Sequence, residues 1–418
     1  MNAPMRNRGR RFGGERSGVR GSGVLTPFAP LFHRLLDQLD AGMLAGSLEV
    51  TAPGGRCRLL GGRAAGPFAE VRLHSWRALL RLAIGGSVGW YEAWSKGEWE
   101  SPDPVALFEL FGINRRSLAQ PTRARGLALV AKRIAHRLRR NDRGGSRRNI
   151  AYHYDLGNDF YSRWLDPGMT YSSALFVDPA ATLAEAQAVK LAGILHRTAT
   201  VPGDTILEIG CGWGSFAEAA ARAGRKLHGL TLSAEQKAYV EARIATAGLD
   251  GVTVTLTDYR DATGSYDAVA SIEMVEAVGE EYWPDYLATI ARVLKPGGHA
   301  AIQLISIDDE MFEGYAANVD FIQAYVFPGG LLISESRFRR LAEAVGLRWH
   351  DRKGFGLDYA ETLRRWREAF DAADAAGSLP KEFDHNFNNL WRYYLMYCEG
   401  GFRGGGIDVA QVTLIKEG

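Results

Sequence analysis

Residues 207–216, LEIGCGWGSF, decide the fold of this chain of 418 residues. They form a glycine-rich turn that follows an apolar strand, DTILEIG, and opens a helix, SFAEAAARAG. Gly210, Gly212 and Gly214 have no Cβ atom, so the backbone can turn tightly there and approach a ligand closely. The spacing is G-x-G-x-G, and Ser215 stands where the dinucleotide fingerprint has its third glycine. The turn predicts a cofactor site, with a dinucleotide site and a purely structural turn as the alternatives.

Strands and helices alternate around this turn from about residue 150 onward. KLHGLTL, VTVTLTD, YDAVASI and HAAIQLISI have the pattern of further strands, and SAEQKAYVEARIATAG that of a helix with Ser233 as its candidate N-cap. This alternation predicts an α/β fold with a mostly parallel, doubly wound sheet. Ligands bind such sheets beyond the carboxyl ends of the strands.

The residues at those strand ends make up the candidate cofactor site. With Glu208 two residues before its first glycine, the turn resembles the S-adenosylmethionine-binding loop of class I methyltransferases. Thr231 and Gln236 follow the second strand and offer a hydroxyl and an amide, and the DYRD stretch after the third strand is placed to contact adenine. We therefore predict S-adenosylmethionine as the cofactor and no metal ion. The predicted cofactor-binding residues are Tyr171, Ser172, Glu208, Gly210, Gly212, Gly214, Thr231, Ser233, Gln236, Tyr259 and Arg260.

Composition indicates a soluble globular protein, with 46% hydrophobic and 23% charged residues and a net charge of +2. The length favours two domains. No apolar run approaches the ~20 residues that span a bilayer, and the first residues, rich in Arg and Gly, lack the apolar core of a secretory signal. Three widely spaced cysteines argue against a disulfide framework and predict a reducing cytoplasm.

We predict four segments along the chain. Residues 1–24 form a flexible basic arm, 25–113 a smaller α+β domain, 114–149 a basic linker helix, and 150–418 the catalytic domain. The basic charges from Arg115 to Arg148 are opposed by Asp142 alone. A basic amphipathic helix favours anionic lipid headgroups, nucleic acid or solvent. We predict no nucleic-acid partner, because no binding module is present and few aromatic residues are interleaved; a solvated interdomain connector stays the alternative.

The chain resembles the cyclopropane fatty acyl phospholipid synthase family, which includes the mycolic acid methyltransferases, from about residue 80 to residue 415. The stretches that carry this resemblance, in order, are YHYDLGNDFYSRWLDPGMTYSSALF (152–176), LEIGCGWGSF, LTLSAEQ, DYRD, YVFPGG (325–330), LDYAETLRRW (357–366) and YCEGGFRGGGIDVAQ (397–411).

The resemblance implies that a sulfonium methyl group is transferred to the cis double bond of an acyl chain in a membrane phospholipid. A proton is then lost and a cyclopropane ring closes. An alkene is a poor nucleophile, so catalysis must rest on proximity and on stabilising a carbocation. Aromatic faces attract cations by up to ~2 kcal/mol when desolvated. Tyr171, beside the cofactor, and Tyr359, which matches a family active-site tyrosine, are the candidates.

The resemblance also implies a bicarbonate ion that accepts the proton, held by a cysteine, a glutamate, a histidine, a backbone position next to an isoleucine, and a tyrosine. The matching positions here are Ser173, Glu276, Gln303, Ile305 and Tyr359. Serine and glutamine can donate hydrogen bonds to an anion, although glutamine cannot titrate. If the proton leaves a neighbouring chain carbon instead of the new methyl group, the product is methyl-branched or methylene-bearing, which is our alternative to the cyclopropane.

Glu273 stands where familiar family members have glycine, three residues before Glu276. A buried acid costs free energy unless it is paired or has a task. Two close carboxylates would push one pKa upward and share a proton. The alternative for Glu273 is a carboxylate that faces the dipole at the start of a helix.

The predicted partners are unsaturated phospholipids, approached through the basic residues 115–148 on an anionic surface. We predict a peripheral protein on the inner face of the cytoplasmic membrane, and a homodimer is conceivable because a second subunit could help to grip a membrane. Two other functions stay open: a methyltransferase for a soluble nitrogen or oxygen nucleophile, and a catalytically silent lipid-binding protein.

Overall fold

The computed structural model describes residues 25–118 and 156–418. The predicted basic arm and residues 119–149 of the predicted linker lie outside the described residues. The described residues contain two sheets. The four-stranded sheet comes first along the chain and the seven-stranded sheet follows it.

The first unit is a four-stranded sheet with helices, in the strand order β2-β1-β3-β4. β1 pairs antiparallel with β2 and parallel with β3. Side chains of β3 alternate between exposed and buried, as expected of a sheet with one face on a core. The strands are β1 Ser47–Thr51, β2 Cys57–Gly61, β3 Phe68–Leu73 and β4 Trp99–Glu100; the helices are α1 Ala29–Gly42, α2 Arg77–Ser95, α3 Pro104–Ile113 and α4 Arg115–Leu118.

The second unit is a seven-stranded sheet in the order β10-β11-β9-β8-β5-β6-β7. The five strands from β9 to β7 are parallel, and β11 and β10 add an antiparallel edge. The α/β doubly wound prediction is therefore confirmed, and the antiparallel edge is an addition to it. The strands are β5 Thr205–Ile209, β6 Lys226–Thr231, β7 Val252–Leu256, β8 Tyr266–Ile272, β9 Leu294–Ile307, β10 Leu347–Gly354 and β11 Ile407–Lys416.

Helices cover both faces of this sheet, so its central strands are buried on both sides. Ala268, Val269 and Ala270 of β8 are all fully buried. The helices are α5 Asn158–Tyr161, α6 Leu183–Arg197, α7 Ser215–Arg222, α8 Ala234–Thr246, α9 Trp283–Val293, α10 Asp309–Ala316, α11 Phe321–Tyr325, α12 Glu335–Ala344, α13 Gly356–Ala375 and α14 His385–Arg403.

The two units are joined by a close helix contact and by ion pairs. A Cβ atom at Gly404, just after α14, would lie 2.7 Å from the Cα of Gly112 in α3, so only glycine allows this approach. Arg115 and Arg116 of α4 both pair with Asp308, at 3.1 and 2.8 Å. The first, amino-terminal unit is thereby held against the second unit.

Within residues 25–118 and 156–418, no helix combines the length and the apolar character needed to cross a bilayer.

Candidate active site

The glycine-rich turn lies where the strand order of the large sheet reverses. The chain runs from β5 outward to β6 and β7, and then crosses to β8 on the other side of β5. Ligands bind open α/β sheets beyond the carboxyl ends of the strands at such a point. At Gly212, φ is +51° and an added Cβ atom would meet no described atom within 4 Å, so the backbone there is open to a ligand.

A cavity of about 180 Å³ extends from this turn, and we call it the cofactor cavity. The predicted cofactor residues that line it are Tyr171, Ser172, Glu208, Gly210, Gly212, Thr231, Gln236 and Tyr259. Gly214, Ser233 and Arg260 are not among its lining residues.

These three residues support the cavity wall in other ways. Gly214 starts helix α7 with φ +82°, and an added Cβ atom would lie 2.8 Å from Val240. Ser233 caps helix α8, where its hydroxyl accepts a hydrogen bond from the backbone N–H of Gln236 at 3.2 Å. Arg260 pairs with Asp258 at 2.6 Å and lies over the ring of Tyr259.

Glu208 provides the test of whether these residues fit S-adenosylmethionine. Its side chain is only 3% exposed, and its Oε2 has no hydrogen-bond partner among the described residues. Burial raises the pKa of Glu208 to about 8, and the positive charge of Lys190 acts in the opposite direction. A buried carboxylate needs a partner. S-adenosylmethionine carries an ammonium group and a sulfonium centre, so the cavity fits this cofactor.

Lys190 of helix α6 also lines the cofactor cavity, although it was not among the predicted site residues. Its ammonium group is fully buried and donates a hydrogen bond to the Ser172 hydroxyl at 2.6 Å. Burial lowers the pKa of Lys190 to about 8, against the negative charges of Glu273, Asp166 and Glu208. The cavity thus contains a cation as well as carboxylates.

Glu273 is the centre of a hydrogen-bond network at the end of β8. Its Oε1 accepts from the backbone N–H of Ser173 at 2.9 Å and from the Gln303 amide at 2.7 Å. Its Oε2 accepts from the Tyr359 hydroxyl at 2.8 Å. Burial raises the pKa of Glu273, while the charge of Lys190 and these hydrogen bonds lower it. Glu273 is therefore a carboxylate that accepts hydrogen bonds from three separate segments of the chain.

Glu276 lies beside this network but is held differently. Its Oε1 accepts a hydrogen bond from the backbone N–H of Ile305. Its Oε2 is buried without a partner among the described residues. Burial, followed by the negative charge of Glu273, raises the pKa of Glu276 to about 8. Glu276 therefore holds its proton at neutral pH.

The residues that the resemblance assigns to bicarbonate form two groups, each around a protein carboxylate. Ser173, Gln303 and Tyr359 bond to Glu273, and Ile305 bonds to Glu276. The remaining polar atoms are also engaged, because the Ser173 hydroxyl donates to a backbone carbonyl and the Gln303 carbonyl accepts from Gln411. The side chains present do not fit a separate bicarbonate ion among these donors.

A second, larger cavity of about 570 Å³ lies between the two units, and we call it the acyl cavity. The amino-terminal unit contributes Leu39, Leu82, Gly86, Trp90, Phe108 and Phe111. Helix α2 breaks at Gly86, where φ is +57°. The catalytic unit contributes further apolar and aromatic side chains, among them Ile305, Phe327, Leu331, Leu363 and Tyr394.

Three residues, Tyr171, Glu273 and Ala277, line both cavities. The hydroxyl groups of Tyr171 and Tyr394 share a hydrogen bond of 2.9 Å. The Tyr171 ring also packs against Trp366, with the ring centroids 5.4 Å apart. The junction of the two cavities is therefore lined by an aromatic ring and by a carboxylate.

Several other aromatic residues of the same sequence stretch belong to the core. Phe160, Tyr161 and Trp164 are almost fully buried and pack against one another. Among the residues that the structure describes, no group of three or more His, Cys, Asp or Glu side chains could hold a metal ion.

Comparisons with known proteins identify the family of this chain. The family model of mycolic acid cyclopropane synthetases matches residues 141–412. The tuberculostearic acid methyltransferase of Mycobacterium tuberculosis is 39% identical over 348 residues, which are 81% of each chain. The cyclopropane-fatty-acyl-phospholipid synthase of Escherichia coli is 38% identical over 268 residues, or 63% of this chain and 66% of that protein.

The crystal structure of a mycolic acid cyclopropane synthase complexed with SAH and CTAB superposes with a TM-score of 0.60 at 31% identity. That match covers 65% of this chain and 98% of the solved one. The chain belongs to the mycolic acid cyclopropane synthetase family and is an S-adenosylmethionine-dependent methyltransferase.

Proposed function

We propose that this protein transfers the methyl carbon of S-adenosylmethionine to the cis double bond of an unsaturated acyl chain in a membrane phospholipid, and that the main product is a cyclopropane fatty acyl chain. The observation that carries the proposal is the junction of the cofactor cavity with the acyl cavity at Tyr171, Glu273 and Ala277. Among the described residues, these three line both cavities, so a methyl donor in one cavity and an acyl chain in the other can meet beside them.

Each wall of the junction has a task in this reaction. S-adenosylmethionine supplies an electrophilic methyl carbon. The apolar acyl cavity excludes water and holds the chain close to that carbon, which replaces a bimolecular encounter by a positioned one. Positive charge then develops on the chain, and the face of Tyr171 can stabilise it electrostatically. A buried carboxylate at the same place can accept the proton that must be lost.

The proposed substrate is intact phospholipid, because the amino-terminal unit both lines the acyl cavity and exposes apolar side chains that could contact a bilayer. Phe28 and Leu31 near the start of α1, and Leu80 and Ile84 of α2, are large apolar side chains that are exposed on the amino-terminal unit. Apolar side chains on a surface favour contact with a bilayer. We propose that this unit docks on the inner face of the cytoplasmic membrane, and that the basic residues 115–148 add attraction to anionic lipids.

A methyl-branched or methylene-bearing product is the second candidate. The position of the proton acceptor relative to the cation decides which proton is removed, and therefore which product forms. The match to the tuberculostearic acid methyltransferase also extends over more of the chain than the match to the cyclopropane synthase, 81% against 63%.

Vesicles of a cis-monounsaturated phospholipid, incubated with the protein and S-adenosylmethionine labelled in its methyl group, test the proposal. We expect the label in the acyl chains, and NMR of the released fatty acids then separates a cyclopropane from a branched or methylene product. Transfer to a soluble amine or alcohol alone, with none to the acyl chains, would disprove it. Vesicle binding should weaken with salt and with a decreasing fraction of anionic lipid.

A further inference from the structure

Among the described residues, Glu273 is the acidic residue that lines both the cofactor cavity and the acyl cavity. Tyr171 and Ala277 share this position, but neither has an acidic group. The carboxylate is fixed by hydrogen bonds to both of its oxygens, from Ser173, Gln303 and Tyr359. A general base must lie within hydrogen-bond reach of the proton that it removes, and a carboxylate held in one position can meet this condition.

The backbone at Glu273 supports a functional role. Its φ angle is +49°, in the left-handed region that favours glycine. A residue with a Cβ atom is strained there, and such strain persists at sites where it serves a purpose. The side chain of this strained residue lines both cavities.

Glu276, the other carboxylate of the pair, is less suited to accept a proton. It lines only the acyl cavity, and one of its oxygens has no partner among the described residues. Burial raises the pKa of Glu273 as well, but the charge of Lys190 and three hydrogen bonds act in the opposite direction. Burial and the charge on Glu273 favour the protonated form of Glu276. Of the two, Glu273 is the one that is ready to act as a base.

We propose that Glu273 itself accepts the proton from the methylated acyl chain, so that its carboxylate takes the place of an external anion such as bicarbonate. This inference rests on the proposed function. In the step, a C–H bond of the methylated cation breaks and its electron pair closes the ring or forms a double bond. The proton moves to a carboxylate oxygen of Glu273, and the chain becomes neutral. Lys190, Gln303, Ser173 and Tyr359 are positioning residues for this carboxylate.

The test compares the wild-type protein with Glu273→Gly and Glu273→Gln in buffer freed of carbon dioxide, with and without added bicarbonate or formate. We expect wild-type turnover to be the same in all buffers. Glu273→Gly opens space at the donors, so kcat should fall by at least about 100-fold and recover on addition of either anion. Glu273→Gln fills that space with an amide, so its loss should not be recovered. Glu343→Gln, on the exposed face of α12, is the control for a changed carboxylate.

Calorimetric binding of S-adenosylhomocysteine shows whether each variant is folded, and Glu273→Gln keeps the test informative if the glycine variant does not fold. The inference is overturned if wild-type turnover requires added bicarbonate, if Glu273→Gln retains wild-type kcat, or if a folded Glu273→Gly does not respond to either anion. Failure of the proposed function is a separate result: the wild-type protein would then label no acyl chain in any buffer.

Discussion

The hydroxyl of Tyr359 donates one of the three hydrogen bonds to Glu273, at 2.8 Å, and Tyr359→Phe removes it. A hydrogen bond to a charged group contributes about 1.5–3 kcal/mol. We take the lower end, because two other donors and the charge of Lys190 stay in place. A loss of about 1.5 kcal/mol reduces the ionised fraction of Glu273 about tenfold at acidic pH.

The direction of the pKa shift in Tyr359→Phe follows from the same hydrogen bond. The Tyr359 hydrogen bond lowers the pKa of Glu273, so its removal raises that pKa. A base acts only when it is unprotonated, so the acidic limb of the pH–rate profile should move to higher pH. At alkaline pH, where Glu273 is ionised in both proteins, the two rates should converge. The charged or titratable neighbours that could also shift the limb are Lys190 and Glu276.

The assay is the rate of label transfer to phospholipid vesicles as a function of pH. Tyr394→Phe is the matched control, because its hydroxyl bonds to Tyr171 in the same cavity and makes no described hydrogen bond to Glu273. We expect its acidic limb to stay at the wild-type position. A uniform loss of rate at every pH in Tyr359→Phe, with an unmoved limb, would refute the role assigned to this hydroxyl.

Three further predictions concern the buried charges. Glu208→Gln should weaken S-adenosylhomocysteine binding by about 10- to 100-fold in calorimetry, and an unchanged affinity would contradict this. Because the pKa of Glu208 is about 8, wild-type binding should release a proton and become tighter as the pH rises toward 8. The pKa of Lys190 is about 8 in the folded protein and 10.5 for an ordinary lysine, so between these pH values the unfolded state binds more protons. The free energy of unfolding should therefore rise there by about 1 kcal/mol per pH unit. Urea titrations should show that rise in the wild type and lose it in Lys190→Met. Glu273→Gly should be more stable than Glu273→Ala by about 1 kcal/mol in urea, because alanine keeps the left-handed strain, and the opposite order would disprove it.

The catalytic fold was predictable because its signals are local. The glycine-rich turn and the alternation of strands and helices lie within short stretches of sequence, and both are present in the structure. The antiparallel edge was not predictable in this way. β11 pairs with β9, whose residues precede it by about a hundred positions, so no local pattern reveals the partner.

The candidate site was predictable only in part. Motif positions located the residues, but the direction of the Glu273 side chain depends on a φ angle that the sequence does not display. Its three donors also come from distant segments, up to 100 residues away. Lys190 did leave a signal, since it falls at helical spacing on the face of α6 that Leu191 and Ile194 bury. A lysine on an apolar face marks a candidate functional group.

The contact between α3 and the end of α14 has a consequence for how substrate preference can change. It brings Phe108 and Phe111 of the amino-terminal unit into the wall of the acyl cavity. The family match begins at residue 141, after that unit. Changes in the amino-terminal unit could therefore alter which acyl chains the cavity accepts. Because Tyr171 and Glu273 lie outside that unit, the choice of lipid can evolve separately from the reaction.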